Sequence, residues 1–184
     1  MLVPGAPRLA AFRAYAAAPG RDFIDTLERL RDLDPPPRTP WDGAVLAGEI
    51  AGVMNPWSAG HFVTAITFRP AAADPNVYGF RRQCLLFTTP SDVEAEAILR
   101  ASKCRYLLTS NLRAVLPAYG RAAGRPGIAL ESTFAVRVHE SSSERPVPFL
   151  LRVIDSRSGR QLADGRWIPG FRIYRVLEPG EVAE

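Results

Sequence analysis

The sequence predicts an α+β fold, in which a small α/β layer of strand, helix and strand is followed by antiparallel β-strands. Two observations carry the prediction. Between residues 41 and 125, short apolar runs alternate with segments that open on helix-start residues, the pattern of an α/β layer. Between residues 126 and 184, apolar residues recur at strand spacing in FAVRV and FRIYRV. With 47% hydrophobic and 23% charged residues, the 184-residue chain can bury a core of its own. It divides into a linker or disordered terminus (1–20), the α/β part (21–125) and the β-rich part (126–184).

The elements follow in order. Residues 22–33 place Phe23, Leu27 and Leu30 on one helical face with Ile24 beside it, and Asp34 before three prolines ends that helix. Residues 44–47 form a candidate strand. Asn55 and Pro56 then supply an N-cap and a first-turn proline, so a helix is expected from there, with Trp57, Phe62, Ala65 and Ile66 on its apolar face and Arg69-Pro70 as its stop. A brief strand at 71–73 and a turn at 74–76 come next. Ser91 and Glu94 have capping-box spacing and start a helix that carries Val93, Ala97, Ile98 and Leu99. Residues 105–109 are a strand and 111–118 a short helix ended by Tyr119-Gly120. In the last part, 134–138, 149–154 and 171–176 are strands with one wet face, Arg172 and Arg175 lying outward, and 155–159 is a loop.

The basic residues number 23 against 19 acids, a formal charge of +4, and Lys103 is the only lysine. The arginines are scattered instead of gathered on one stripe, so a nucleic-acid partner is not expected. No apolar run reaches the ~18–20 residues of a membrane span. The first twenty residues are broken by Pro4, Pro7, Arg8 and Arg13 and do not form the apolar core of a signal peptide. No glycine-rich phosphate loop, serine elbow or paired-cysteine motif is present, and Cys84 and Cys104 fit a role as small buried hydrophobes.

One segment, NPWSAGH, concentrates chemistry. Asn55 opens it, Trp57 offers a broad apolar face with one donor, Gly60 allows close backbone approach, and His61 lies one turn beyond Trp57. The same residues also fit a structural role, with Trp57 and Phe62 in the core and His61 half-buried.

The pieces TLERLRDLDPPP, AVLAGEIAGVMNPWSAGH, FRPAAADPNVYGF, TTPSDVEAEAILRASKCRYLLTSN and FRIYRVLEPG keep their order and spacing over residues 22–176. In that order they resemble the extracytoplasmic domain of the oligosaccharyltransferase catalytic subunit family and of its bacterial GT-C membrane glycosyltransferase relatives. The family's W-W-D-Y-G segment falls on residues 56–60: Trp57 and Gly60 match, Pro56, Ser58 and Ala59 replace the other three, and His61 matches the G-H ending of the bacterial relatives. The resemblance implies a non-catalytic domain on the periplasmic face of the bacterial inner membrane, with Asn55, Trp57, Gly60 and His61 as binding residues. Its partners would be the transmembrane half of the same polypeptide and a polyprenyl-linked glycan or an acceptor polypeptide. The family's metal and catalytic carboxylates lie in the transmembrane part, so no cofactor is expected in this chain. A stand-alone envelope scaffold for glycan or peptide, and a small α/β enzyme using His61 or Cys104, are the other readings that the sequence leaves open.

Overall fold

The computed structural model describes residues 20–36, 51–73 and 79–181. The expected strand at 44–47, the turn at 74–76 and the terminus up to residue 19 lie outside them. The described fold is mixed α+β, with six α-helices and two sheets whose strands are mostly antiparallel.

Helix α1 (Arg21–Leu33) forms as its apolar spacing requires, burying Phe23, Thr26, Leu27 and Leu30 and ending at Asp34. Strand β1 (Gly52–Met54) pairs in parallel with β2 (Cys104–Ser110). β2 pairs antiparallel with β6 (Phe171–Val176), and β6 with β3 (Leu150–Asp155), giving the order β1-β2-β6-β3. One sheet therefore draws two strands from residues 21–125 and two from 126–184. A separate hairpin joins β4 (Gly159–Gln161) to β5 (Trp167–Pro169).

The register sorts the core. Val53, Tyr106, Leu108, Ile173 and Ile154 point to one face, which α1 and α2 (Gly60–Thr67) cover with Phe23, Leu27, Leu30 and Val63. Met54, Leu107, Tyr174 and Leu150 point to the other, beneath α3 (Phe80–Thr88), α4 (Asp92–Ala101), α5 (Leu116–Ala122) and α6 (Phe134–His139). The first layer is pinned at the end of α1: Arg69, only 3% exposed, donates to the Asp34 carbonyl at 2.7 Å and pairs with its carboxylate at 2.8 Å, while Tyr106 donates to the same carboxylate at 2.6 Å. Ser91 caps α4 by accepting from the Glu94 N–H, as its spacing indicates, but the Glu94 carboxylate turns to Thr89 and Arg125 and does not complete a capping box.

Several expectations are corrected. The chain from Asn55 enters a 3₁₀ turn, Trp57–Ala59, and only then α2. α2 buries Gly60, Val63 and Thr67 and leaves Phe62 and Ala65 exposed, because its small-residue stripe faces α1. It stops at Phe68, whose φ of 56° is left-handed. Residues 71–73 make only a single bridge, from Ala71 to Val53. Helix α3 has no counterpart in the sequence reading, because Gln83 and Thr88 interrupt its apolar stripe. The helix expected at 111–118 is instead a turn followed by α5, which runs through Tyr119 and Gly120. Val93 of α4 is 79% exposed, and Ala95 and Leu99 are the buried pair.

The largest correction is α6, read above as a strand. A nearly continuous apolar run suits a buried helix as well as a strand. Here Thr133 caps the helix, and the sheet satisfies its terminal carbonyls. Tyr174 donates to the Val138 carbonyl at 2.8 Å, and Arg172 donates to the His139 carbonyl at 2.7 Å and to that of Ser141. Arg172 is thus 4% exposed, not on a wet face, and forms an ion pair with Asp155 at 3.3 Å. His139 sits in the same contact, its Nδ1 3.1 Å from the Thr109 hydroxyl. Burial, with Arg172 beside it, pulls its pKa down to about 4.

Two consequences are measurable. Gly79 has a φ of 70°, and a Cβ there would stand 1.8 Å from the Ala72 carbonyl oxygen. Gly79→Ala is therefore expected to destabilise the fold by more than about 2 kcal/mol, read by urea unfolding. For His139 the folded pKa lies below the unfolded value of 6.5, so the unfolded state takes up the proton first. Its contribution is complete above pH 6.5 and is lost as pH falls toward 4, by roughly 3 kcal/mol. Calorimetric melts of the native chain should show that slope, and His139→Gln should flatten it.

Candidate functional site

The segment singled out by sequence follows β1 directly and passes from one layer to the other. Ala59 packs with the α1–α2 layer, while the Trp57 ring meets Phe80 of α3 edge-on, centroids 5.8 Å apart. Phe80 meets Tyr119 of α5 in the same way at 5.9 Å. Trp57, Phe80 and Tyr119 thus form an aromatic row across three elements, with Trp57 half-buried at its outer end.

Asn55 is fully buried and does not cap a helix. Its Nδ2 donates to the Pro56 carbonyl at 2.9 Å and to the Ala73 carbonyl at 2.8 Å, which ties the turn before α2 to the segment that leaves it. The Oδ1 atom is buried and accepts nothing among the described residues. Gly60 is buried in the first turn of α2, and His61 is exposed on it. The structure thus brings Asn55, Trp57 and Gly60 into one turn and sets His61 at its solvent side.

Sequence reasoning missed Phe80, Tyr119 and Gln83. Phe80, Cys84 and Phe87 follow helical spacing, the signal that would have found α3. Gln83, one turn after Phe80, has no exposure, and neither atom of its amide makes a hydrogen bond among the described residues. Such groups cost about 1–3 kcal/mol each when left unmade. Asn55 and Gln83, both fully buried, thus carry amide atoms without a partner among the described residues, next in chain or helix to the aromatic row.

The two thiols offer no nucleophile. Cys84 and Cys104 are both buried, and burial pushes each thiol up to about 12, so neither ionises near neutrality. Among the described residues no group of three His, Cys, Asp or Glu side chains is placed to hold a metal ion, and no helix is long and apolar enough to cross a membrane.

No protein-family model and no curated protein match the chain. Solved structures do. The chain is similar to the C-terminal globular domain of the oligosaccharyltransferase AfAglB-S2 from Archaeoglobus fulgidus, with 14% identity and a TM-score of 0.60 over 85% of this chain and 97% of that one. It is also similar to the A. fulgidus oligosaccharyltransferase AglB in complex with an inhibitory peptide and a dolichol-phosphate (15% identity, TM-score 0.61, 84% of this chain). A third match is the A. fulgidus enzyme tethered to an acceptor peptide containing the NVT sequon (14% identity, TM-score 0.59, 84% of this chain). The chain spans 25% of each of these two longer chains. At such identities the likeness establishes the fold: this chain has the fold of the oligosaccharyltransferase C-terminal globular domain.

Gln83 yields a direct test of the local chemistry. Gln83→Met keeps the volume and removes both unmade bonds, so the chain is expected to become more stable by up to about 2 kcal/mol in urea unfolding. A loss of stability would mean that the amide is satisfied in solution.

Proposed function

We propose that this chain is the non-catalytic extracytoplasmic domain of a membrane-bound GT-C glycosyltransferase of the oligosaccharyltransferase type, where it contributes to binding the acceptor polypeptide or the lipid-linked glycan. The observation that carries the reading is the fold shared over 97% of an isolated oligosaccharyltransferase globular domain, and the sequence resemblance of Trp57, Gly60 and His61 to the family's motif supports it. The peptide and dolichol-phosphate named with the similar enzymes support the two ligand classes.

In this reading Trp57 is the wall against which an acceptor or glycan rests. Phe80 and Tyr119 fix its ring edge-on. Asn55 positions the turn from behind, and the buried Gly60 keeps the start of α2 close against its neighbours. His61 supplies a polar group at the rim. The transmembrane half of the same polypeptide carries the catalytic groups, and this chain takes no cofactor and turns over nothing alone. The G-H match to the bacterial relatives supports the periplasmic face of a bacterial inner membrane. The buried, protonated Cys104 weighs against the soluble-enzyme alternative in its thiol form.

The test is to express the chain joined to its membrane half and measure glycosyl transfer. Trp57→Ala is expected to lower transfer about tenfold or more with the fold intact by circular dichroism. Unchanged transfer in the folded variant would refute the site. A coding sequence without hydrophobic spans upstream of Met1 would favour the stand-alone scaffold instead.

A further inference from the structure

We propose that the β4–β5 hairpin is a contact surface for an anionic lipid bilayer. The proposal rests on the reading above, in which a membrane-embedded half adjoins this chain. Arg157, Arg160 and Arg166 are exposed on or beside the hairpin; Arg166 pairs with its one acid, Asp164, at 2.8 Å and Arg160 with Glu140 of the α6 end at 3.4 Å, which leaves Arg157 as the cation with no carboxylate partner among the described residues. Beside them Trp167 is 56% exposed, whereas its neighbour Ile168 is 2% exposed and anchors the other side of the ribbon.

This indole is not on a loose loop. A Cβ on Gly159 would stand 2.8 Å from the ring's Cζ2, so the ring rests on a position that only glycine leaves open. The base of the ribbon is closed by Ser156 N–H to the Phe171 carbonyl, Gly170 N–H to the Ser158 carbonyl, and the Ser156 hydroxyl to the Ser158 carbonyl. Arg166 also donates to the Glu140 carbonyl at 3.2 Å, bracing the tip against the end of α6. A rigid, exposed indole with an apolar body and one N–H suits the headgroup region, and the arginines complement its negative charge.

Position agrees with chemistry. Asp22, in the first turn of α1, accepts from the Arg157 N–H at 2.9 Å and from the Ser158 hydroxyl at 2.5 Å. The hairpin base is therefore docked on the start of α1. In the similar enzymes the globular domain is C-terminal, so a membrane half would precede α1 in the chain.

The experiment sediments the 184-residue chain with vesicles of equal phosphatidylcholine and phosphatidylglycerol, and with phosphatidylcholine alone, at about 0.1 M salt. Retention on the anionic vesicles only is expected. Trp167→Ala, and separately Arg157→Gln with Arg166→Gln, should each lower the bound fraction about fivefold. Val93→Ala, exposed on α4, should not change it. The arginine pair keeps the test open if Trp167→Ala fails to fold. No retention on anionic vesicles, or equal retention of every variant, overturns the proposal. So does Trp167-dependent binding to a glycan or an acidic polypeptide without vesicle binding. Glycosyl transfer is not read here, so a negative result stands apart from failure of the Trp57 experiment.

Discussion

A sheet covered on both faces governs this molecule. β2 and β6 lie side by side at its centre, and each alternates buried residues to two different cores. Beyond Arg105 near the start of β2, neither strand turns a charged residue fully to water. A charged residue on either strand must therefore find its partners inside the protein. Arg172 shows the consequence: it reaches the open carbonyls at the end of α6, and a buried cation and a helix terminus satisfy each other. Arg69 does the same for the end of α1. An arginine thus ties down the end of each of these helices, beside the apolar contacts that cover the sheet.

The edge strand β1 places the candidate site. A chain leaving a buried edge must cross from one layer to the other, and residues 55–60 make that crossing. Asn55 closes the turn behind, Trp57 lands on the α3–α5 layer, and Ala59 and Val63 land on α1. The segment is thus structurally necessary and half-open at once. Because both layers hold its ends, the half-buried Trp57 ring keeps a set place against Phe80.

The functional reading joins two independent kinds of likeness. The motifs align by order along the sequence, and the fold aligns by space over nearly the whole of a known globular domain. The match also bounds the reading. The chain spans a quarter of the longer enzymes, so the likeness carries the fold of their globular part and not their bond-making chemistry. The hairpin and the Trp57 turn are two surfaces of this chain, one polar and cationic at the start of α1, the other aromatic at the edge of β1.

The sequence by itself determined what local chemistry decides. Helix α1, its stop at Asp34, the Ser91 cap, strands β2, β3 and β6, and the resemblance to the oligosaccharyltransferase domain were all legible, because periodicity, capping and motif order are short-range properties. What depended on distant partners was not. FAVRVH has the same local pattern whether strand or helix, and Arg172 and Tyr174, more than thirty residues away, decide for the helix by bonding its last carbonyls. Arg172 reads as solvent-facing until Asp155 and the end of α6 surround it. The face that α2 buries depends on α1, and Asn55 spends its amide on Ala73 eighteen residues on instead of on a cap. Burial of a polar group is a property of the whole packing, so only the tertiary structure set the site's final arrangement.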